Sequence, residues 1–293
     1  MIKFPTSIQW VNLHATAGVA ANSGFNEYVS CDVSAGCGAN DQPVSVCEKM
    51  LSTIKGIIFD FDGTLFDNSL IAFRLVAANP FASLRLFNER LVRHRFAGRD
   101  FQTPEKYYRA FFSELGKACL KKPERMRNWY FNFYMPRMIR ILKRHYHPRP
   151  GLKELMLRLG SPESALKAAV YSDYPVLFER MEALGLEHSQ HIHLYGPESF
   201  GAQKPAPRPF LQIAKKFNLQ PEEILVIGDR EDTDGLGAFN AGMRFFCLET
   251  GSRRYFRVDP FRRKPNDEKQ GPTLLMYAGT WDGLISLLFR RLS

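Results

Sequence analysis

Short apolar runs that alternate with amphipathic stretches are the feature that most constrains the fold of this chain. The runs have strand length and little polar alternation, and they read GIIFDF, AAVYSD, IHLYG, ILVIGD and RFFCLET. Helical patterns such as YPVLFERMEALGL and PRPFLQIAKKFNL lie between them, and TLLMYAG with TWDGLISLLFRRL adds a last strand and helix. Because such strands are buried on both faces, the pattern predicts a doubly wound, parallel, Rossmann-like α/β sheet.

The interval between the first two apolar runs contains no strand pattern. Residues 69–149 show apolar side chains at i, i+3 and i+4 throughout, which predicts an all-helical cap domain inserted into the fold. Residues 50–68 and 150–293 then form the α/β core. Residues 1–49 are rich in Ala, Gly, Ser and Asn without a sustained period, so we expect a poorly ordered N-terminal extension.

Positive charge is concentrated in the predicted cap. Residues 74–149 contain 18 Lys and Arg against 5 Asp and Glu, whereas the whole chain carries a net charge of +10. This excess indicates either solvated helix faces or a surface that attracts an anionic substrate or nucleic acid. Residues 253–270 form a second basic stretch. For this stretch the sequence leaves two alternatives open: a position near the mouth of the functional site, or a loop on the surface.

The composition also predicts a cytoplasmic location. No apolar stretch reaches the length of about 18 residues that a membrane span needs, and therefore no membrane partner is expected. The five cysteines are odd in number and form no CxxC pair, so we expect reduced thiols. Nothing in the sequence indicates the oligomeric state.

Polar side chains follow the predicted strands at their carboxyl ends, where functional groups of an open parallel sheet gather. The first strand ends in two acids and the second in a serine and an acid. A lysine lies in the loop after the third strand, and the fourth strand is followed by three aspartates. These residues are Asp60, Asp62, Ser172, Asp173, Lys204, Asp229, Asp232 and Asp234. The sequence therefore predicts that several carboxylates, one hydroxyl and one ammonium converge on one crevice.

Such a cluster needs a cation, because like charges repel one another and each resists desolvation. Oxygen ligands suit Mg²⁺, which would also bind a phosphate oxygen. With Mg²⁺ and Lys204 offsetting its charge, Asp60 is the predicted nucleophile towards phosphorus. Asp62 lies two residues on, on the same side of an extended strand about 6.6 Å away, and is the predicted general acid and base. Ser172 is expected to hydrogen-bond a phosphoryl oxygen.

Four motifs in order, IIFDFDGTLFD, AVYSD, KPAPRPF and VIGDREDTDGLGAFNAG, resemble the haloacid dehalogenase-like superfamily of phosphohydrolases. The resemblance implies an Asp60 nucleophile, an Asp62 acid and base, and phosphate binding by Ser172 and Lys204. It further implies Mg²⁺ held by Asp60, the carbonyl of Asp62 and Asp229. The insertion after the first motif is similar to that of helical-cap members such as phosphoglycolate phosphatase-like enzymes. The name-giving dehalogenases lack the second acid, so Asp62 favours phosphate chemistry.

The fourth motif departs from the commonest family spacing. Many helical-cap members place its two acids four residues apart, whereas Asp229 and Asp234 are five apart. Asp234 precedes Gly242 by eight residues, as the second acid of the family usually does, and is the predicted further metal ligand. Asp232 is an alternative. Gly63, Thr64 and Asp173 are additional candidates for substrate binding, together with Ser172 and Lys204.

The expected function is a Mg²⁺-dependent phosphatase that hydrolyses a small phosphate monoester through an aspartyl-phosphate. Opening and closure of the cap would admit the substrate and then exclude water. One alternative is a phosphomutase of the same superfamily. Another is a non-catalytic protein that binds nucleic acid or a phosphorylated partner through the basic cap.

Overall fold

The computed structural model describes residues 25–30, 42–186, 189–249 and 274–293. Its strands are all parallel and form one sheet in the order β1-β7-β6-β5-β2-β3-β4. They are β1 (Phe25–Ser30), β2 (Gly56–Phe59), β3 (Lys167–Tyr171), β4 (Ile192–Tyr195), β5 (Ile224–Gly228), β6 (Arg244–Leu248) and β7 (Leu274–Gly279). The predicted parallel α/β sheet is confirmed.

Helices connect the strands. They are α1 (Gln42–Thr53), α2 (Ile71–Ala77), α3 (Ser83–Phe96), α4 (Pro104–Cys119), α5 (Pro123–Trp129), α6 (Met135–His145), α7 (Leu152–Leu159), α8 (Leu177–Ala183), α9 (Pro197–Phe200), α10 (Pro207–Phe217), α11 (Leu236–Asn240) and α12 (Trp281–Leu292). Among the residues that the structure describes, no helix has both the length and the apolar character of a membrane span.

The direction in which the sheet grows reverses beside β2. From β2 the chain proceeds to β3 and β4 on one side, and β5 then pairs with the other side of β2. Such a reversal opens a crevice at the carboxyl ends of the two strands. The backbone N–H of Asp60 donates to the carbonyl of Ile227 at 2.8 Å. The first predicted site residue therefore lies directly at this crevice.

The central strands are buried on both faces, which explains their unalternating apolar sequences. Ile57 and Phe59 of β2 belong to an apolar cluster on one face of the sheet, and Ile58 belongs to a second cluster with Val226 and Phe245. Successive side chains of a strand point to opposite faces, so one strand contributes to both clusters. The first cluster continues into the cap helices.

Helices α2–α6 make up the chain between β2 and the approach to β3, as the apolar spacing predicts. A π-helical turn, Tyr130–Tyr134, joins α5 to α6. The rings of Trp129 and Tyr134 stack with centroids 5.4 Å apart and are buried, so the aromatic stretch of this segment mainly forms the interior of the cap. The boundaries of the cap at residues 69 and 149 stay a prediction.

The N-terminal part differs from the expected extension. Strand β1 pairs with β7 at the edge of the sheet, and α1 continues across residue 50, where the core was expected to begin. The sequence of β1, FNEYVS, is too polar to stand out as a buried strand. Residues 1–24, 31–41 and the basic stretch 253–270 lie outside the described residues.

The cysteines differ in part from the expected reduced thiols. Cys119 and Cys247 are free, whereas Cys47 is disulfide-bonded, so the prediction is wrong for Cys47. Nothing in the sequence distinguishes Cys47 from the other cysteines, because no spacing motif such as CxxC marks two of them as a disulfide pair. The cytoplasmic location stays a prediction.

A loop of the cap is hydrogen-bonded to the loop that carries Lys204. Residues 97–103, between α3 and α4, exchange backbone hydrogen bonds with residues 201–204, among them Phe101 N–H to the carbonyl of Gly201 at 3.0 Å. The guanidinium of Arg208 donates to both carboxylate oxygens of Asp100, at 2.5 and 2.7 Å. The position of this cap loop is therefore linked to the position of the lysine.

Two glycines in this contact provide a matched test. Gly201 has φ 65°, and a Cβ there would lie 2.2 Å from the backbone of Thr103. Gly98 has φ 75°, but the nearest atom to its Cβ would be Pro205 Cδ at 3.6 Å. We expect G98A to lower the free energy of unfolding by about 1 kcal/mol through backbone strain, and G201A by at least about twice as much, because it adds a backbone clash. Denaturant unfolding of both variants measures the difference; equal losses would contradict the close approach of the two loops.

Candidate active site

Three buried carboxylates form the centre of the site. Asp60 follows β2, Asp229 follows β5, and Asp234 lies in the turn after Asp229. Each contributes one oxygen to a group in which all oxygens lie within 4.8 Å of one another. The strand order therefore brings together residues that are about 170 positions apart in the sequence.

Lys204 bridges two of these carboxylates. Its Nζ donates to Oδ1 of Asp60 at 2.5 Å and to Oδ1 of Asp234 at 2.8 Å, and its side chain is only 3% exposed. Burial disfavours the ammonium charge, but attraction by Asp234 and Asp60 outweighs burial and raises the pKa of Lys204 well above its usual value. The lysine is thus held in its charged form.

One lysine does not compensate three carboxylates. Burial, together with repulsion by Asp234, raises the pKa of Asp60 to about 7, although Lys204 acts in the opposite direction. Burial also raises the pKa of Asp234 to about 6, against the attraction of Lys204 and with repulsion by Asp229. The centre therefore carries more negative charge than the surrounding protein stabilises.

Asp62 lies beside this centre with a different set of partners. Nη2 of Arg180 donates to its two carboxylate oxygens at 2.5 and 2.6 Å, and the Ser172 hydroxyl donates to Oδ2 at 3.2 Å. Ser172 is fully buried at the end of β3. The structure therefore brings the predicted acid and the predicted phosphate-binding serine into direct contact.

The turn after β2 is shaped by its approach to Asp229. Gly63 has φ 94°, and a Cβ at this position would lie 2.3 Å from Oδ2 of Asp229. The hydroxyl of Thr64 donates to Oδ2 of Asp60 at 3.1 Å. Arg149 donates to the carbonyls of Gly63 and Thr64 at 2.9 and 2.8 Å. Both turn residues are thus in place at the centre, while substrate binding by them stays a prediction.

Comparison with protein families matches residues 54–242 to the haloacid dehalogenase-like hydrolases. The matched segment is more than half of the chain and contains every site residue described above. The chain belongs to the haloacid dehalogenase-like hydrolase family. The family predicted from the four motifs is therefore confirmed.

Two relatives of this haloacid dehalogenase-like hydrolase are phosphatases. The glyceraldehyde 3-phosphate phosphatase of Pyrococcus furiosus is 26% identical over 228 residues, which cover 70% of this chain and 84% of the relative. The phosphoglycolate phosphatase of Haemophilus influenzae is 29% identical over 209 residues, which cover 69% and 88%. The predicted enzyme class, a hydrolase of the phosphatase type, is confirmed.

A solved structure supports the fold. The crystal structure of a dehalogenase with an intermediate complex has a TM-score of 0.50 and 16% identity, and the match covers 80% of this chain and 97% of that one. This likeness concerns the arrangement of strands and helices.

The fourth motif of this hydrolase places Asp234, and not Asp232, at the centre. Asp232 is exposed and pairs with Arg230 at 2.6 Å, whereas Asp234 is buried beside Lys204. A π-helical turn, Glu231–Gly235, explains the spacing of five residues, because the N–H of Gly235 bonds to the carbonyl of Arg230. Such a turn accommodates one extra residue, and π turns often occur at functional sites.

Asp173 fixes the loop that carries the lysine rather than joining the carboxylate centre. Its Oδ1 accepts a hydrogen bond from the backbone N–H of Lys204 at 3.0 Å. Its carbonyl accepts a hydrogen bond from Arg93 of α3 at 2.6 Å, and the guanidinium of Arg93 lies 3.9 Å from the ring centre of Tyr174. Glu89 compensates the charge of Arg93 at 2.5 Å. A cap residue therefore holds the loop after β3.

Arg93 and Arg180 are two residues near the site that the motifs do not reveal. Each interrupts the apolar face of a helix: Arg93 lies between the buried Val92 and Phe96, and Arg180 between the buried Leu177 and Met181. A charged residue at a core position of an amphipathic pattern needs a buried partner. That signal was available in the sequence, but it did not identify the partner.

The raised pKa of Asp60 predicts a pH-dependent effect of D60N. Asp60 holds its proton up to about pH 7 when folded, against an ordinary pKa of 3.8, so the folded state binds more protons between these values. Stability conferred by this protonation is lost as the pH rises through that window. We therefore expect D60N, which cannot ionise, to gain thermal stability relative to the wild type between pH 5 and pH 8. A gain of about 2–4 °C in Tm corresponds to 1 kcal/mol.

Thermal unfolding in the presence of EDTA measures this effect. D234N serves as a second variant, because the pKa of Asp234 is raised for the same main reason, burial. A difference in Tm that stays the same from pH 5 to pH 8 for both variants would contradict the raised pKa values of Asp60 and Asp234.

Proposed function

We propose that this chain is a Mg²⁺-dependent phosphatase that hydrolyses a small phosphate monoester through an aspartyl-phosphate on Asp60. The observation that carries the proposal is the cluster of Asp60, Asp229 and Asp234 with Lys204 between two of its members. The cluster combines a nucleophile, a cation for a phosphoryl oxygen and an oxygen-rich place for a divalent ion at the crevice of the sheet.

The chemistry of the donor set fits Mg²⁺. Carboxylate oxygens are the ligands this ion prefers, and three of them lie within 4.8 Å of one another. The raised pKa values of Asp60 and Asp234 indicate that further positive charge would stabilise the centre. Asp60, Asp229, Asp234 and the carbonyl of Asp62 would hold the ion. When bound, Mg²⁺ supplies the charge that offsets the carboxylates and polarises the phosphoryl group.

The reaction proceeds in two transfers. A carboxylate oxygen of Asp60 forms a bond to phosphorus, the bond from phosphorus to the ester oxygen breaks, and Asp62 gives its proton to that oxygen. Water then attacks the phosphorus of the aspartyl-phosphate and gives a proton to Asp62. Inorganic phosphate leaves and Asp60 is restored. Lys204 neutralises part of the negative charge that the two anions bring together.

Several features support a small phosphorylated substrate. Asp62 supplies an acid for an alkoxide leaving group, which halide displacement does not need. The relatives named above are phosphatases of glyceraldehyde 3-phosphate and phosphoglycolate. The positive excess of residues 74–149 favours the approach of an anion.

A panel of phosphate monoesters, assayed for inorganic phosphate with Mg²⁺, tests the proposal. We expect D60N to lower the rate by about 10³-fold or more, because removal of a nucleophile abolishes the covalent route. Acid-quenched wild type should carry a phosphoryl group on Asp60. A phosphomutase would instead return the group to a sugar phosphate without net release, and a binding protein would show salt-sensitive retention of nucleic acid without turnover.

Asp234 and Asp232 of the fourth motif provide a matched test of which residue binds Mg²⁺. We expect D234N to raise the Mg²⁺ concentration for half-maximal activity by at least about tenfold, because a ligand of the ion is lost. D232N removes an exposed acid of the same turn and should leave that concentration unchanged. Equal behaviour of the two variants in a Mg²⁺ titration would contradict the assignment of Asp234.

A further inference from the structure

The guanidinium of Arg180 is fully buried between α8 and the loop after β3. Besides its contacts with Asp62, its Nη1 donates to the hydroxyl of Ser172 at 2.9 Å and lies 3.4 Å from the carbonyl of Tyr174. Its central carbon lies 4.3 Å from the ring centre of Phe61. Arg180 thus joins the motif that carries Asp62 to the motif that carries Ser172.

Stability alone does not account for this arrangement. Taking an arginine and a carboxylate out of water costs free energy that their attraction only partly returns, and apolar side chains of similar volume are often at least as stabilising. The Nε of Arg180 is also buried without a hydrogen-bond partner among the described residues. A buried donor of this kind carries a further cost. The burial of this guanidinium beside Asp62 therefore points to a role in the site.

The contacts fix Asp62 while leaving part of its carboxylate open. A carboxylate has about four lone-pair sites. Arg180 and Ser172 occupy three of them, and 23% of the Asp62 side chain is exposed. The serine hydroxyl is itself held, because it accepts from Arg180 and from the backbone N–H of Tyr174 at 3.1 Å. The remaining site is where Asp62 can exchange a proton.

We propose that Arg180 is a positioning residue that fixes the carboxylate of Asp62 for proton transfer to the leaving-group oxygen. This inference rests on the proposed function, since the proton transfer by Asp62 belongs to it. Arg180 acts through Asp62 and touches neither phosphorus nor the ester oxygen. Without the guanidinium, Asp62 loses its orientation and the transfer becomes slow.

Leaving groups of different basicity separate this role from a general structural one. When the phosphorus–oxygen bond of an alkyl phosphate breaks, the alkoxide needs a proton from Asp62. When the bond of p-nitrophenyl phosphate breaks, the phenolate leaves without one. A misplaced acid therefore slows the first transfer from the alkyl ester selectively, whereas a distorted site slows the first transfer from both esters. The second transfer, in which Asp62 accepts a proton from water, is common to both esters, so the quantity to compare is kcat/KM, which reports the first transfer.

The test compares R180M and R180K with the wild type on p-nitrophenyl phosphate and on the alkyl phosphate turned over fastest. We expect R180M to lower kcat/KM for the alkyl ester by about 10²-fold, which is within the usual contribution of a general acid, and kcat/KM for the aryl ester by less than about threefold. R180K, which keeps the charge but offers a single point of contact, should lie between. R208M breaks another Arg–Asp pair, with Asp100, and should change both rates by the same factor.

A double-mutant cycle shows whether Arg180 acts through Asp62. We expect R180M to have no further effect on alkyl phosphate turnover in the D62N background. Equal losses for both esters, or the same loss in both backgrounds, would overturn the role of Arg180. If D62N itself left alkyl turnover intact, the proposed acid would be wrong instead. Thermal unfolding identifies folded variants, and R180K decides the question if R180M does not fold.

Discussion

Repulsion among three buried carboxylates is the interaction on which the rest of the site depends. The order of the strands brings Asp60 beside Asp229, and the π-helical turn Glu231–Gly235 brings Asp234 to the same place. Burial, together with their mutual repulsion, raises the pKa values of Asp60 and Asp234, and against its own burial Lys204 is kept charged by these carboxylates. The fold therefore maintains an arrangement that is unfavourable in itself and that a bound cation would relieve.

Positive side chains reach this centre from distant parts of the sequence. Lys204 comes from a loop that is fixed by Asp173 and by the cap loop at residues 97–103. Arg149 holds the turn after β2, and Arg180 holds Asp62. Lys204 contacts the carboxylate cluster directly, whereas Arg149 and Arg180 contact residues beside it, so cations from three parts of the chain position the turn and the loops around the cluster. A change in the position of the cap loop would consequently change the position of Lys204.

Much of the fold was predictable because its strands are buried on both faces and its helices are amphipathic. All six predicted strands and the closing helix are present, whereas β1 was missed because an edge strand needs little apolar character. The motifs located Asp60, Asp62, Ser172, Lys204, Asp229 and Asp234, since strand ends meet at one edge of a parallel sheet. Arg93 and Arg180 were not identified as site residues because the site groups they contact, the carbonyl of Asp173 and the carboxylate of Asp62, lie on other elements, and sequence spacing does not show which elements pack together.

The π-helical turn Glu231–Gly235 has a consequence for tracing this family through genomes. This single wide turn accommodates one additional residue. Asp234 can therefore occupy the position that the second acid of a motif with the shorter spacing would occupy. The segment thus carries one additional residue while Asp234 still lies beside Asp60 and Lys204. A search template with a fixed interval of four residues between the two acids would miss this chain, and one that tolerates the insertion would retain it.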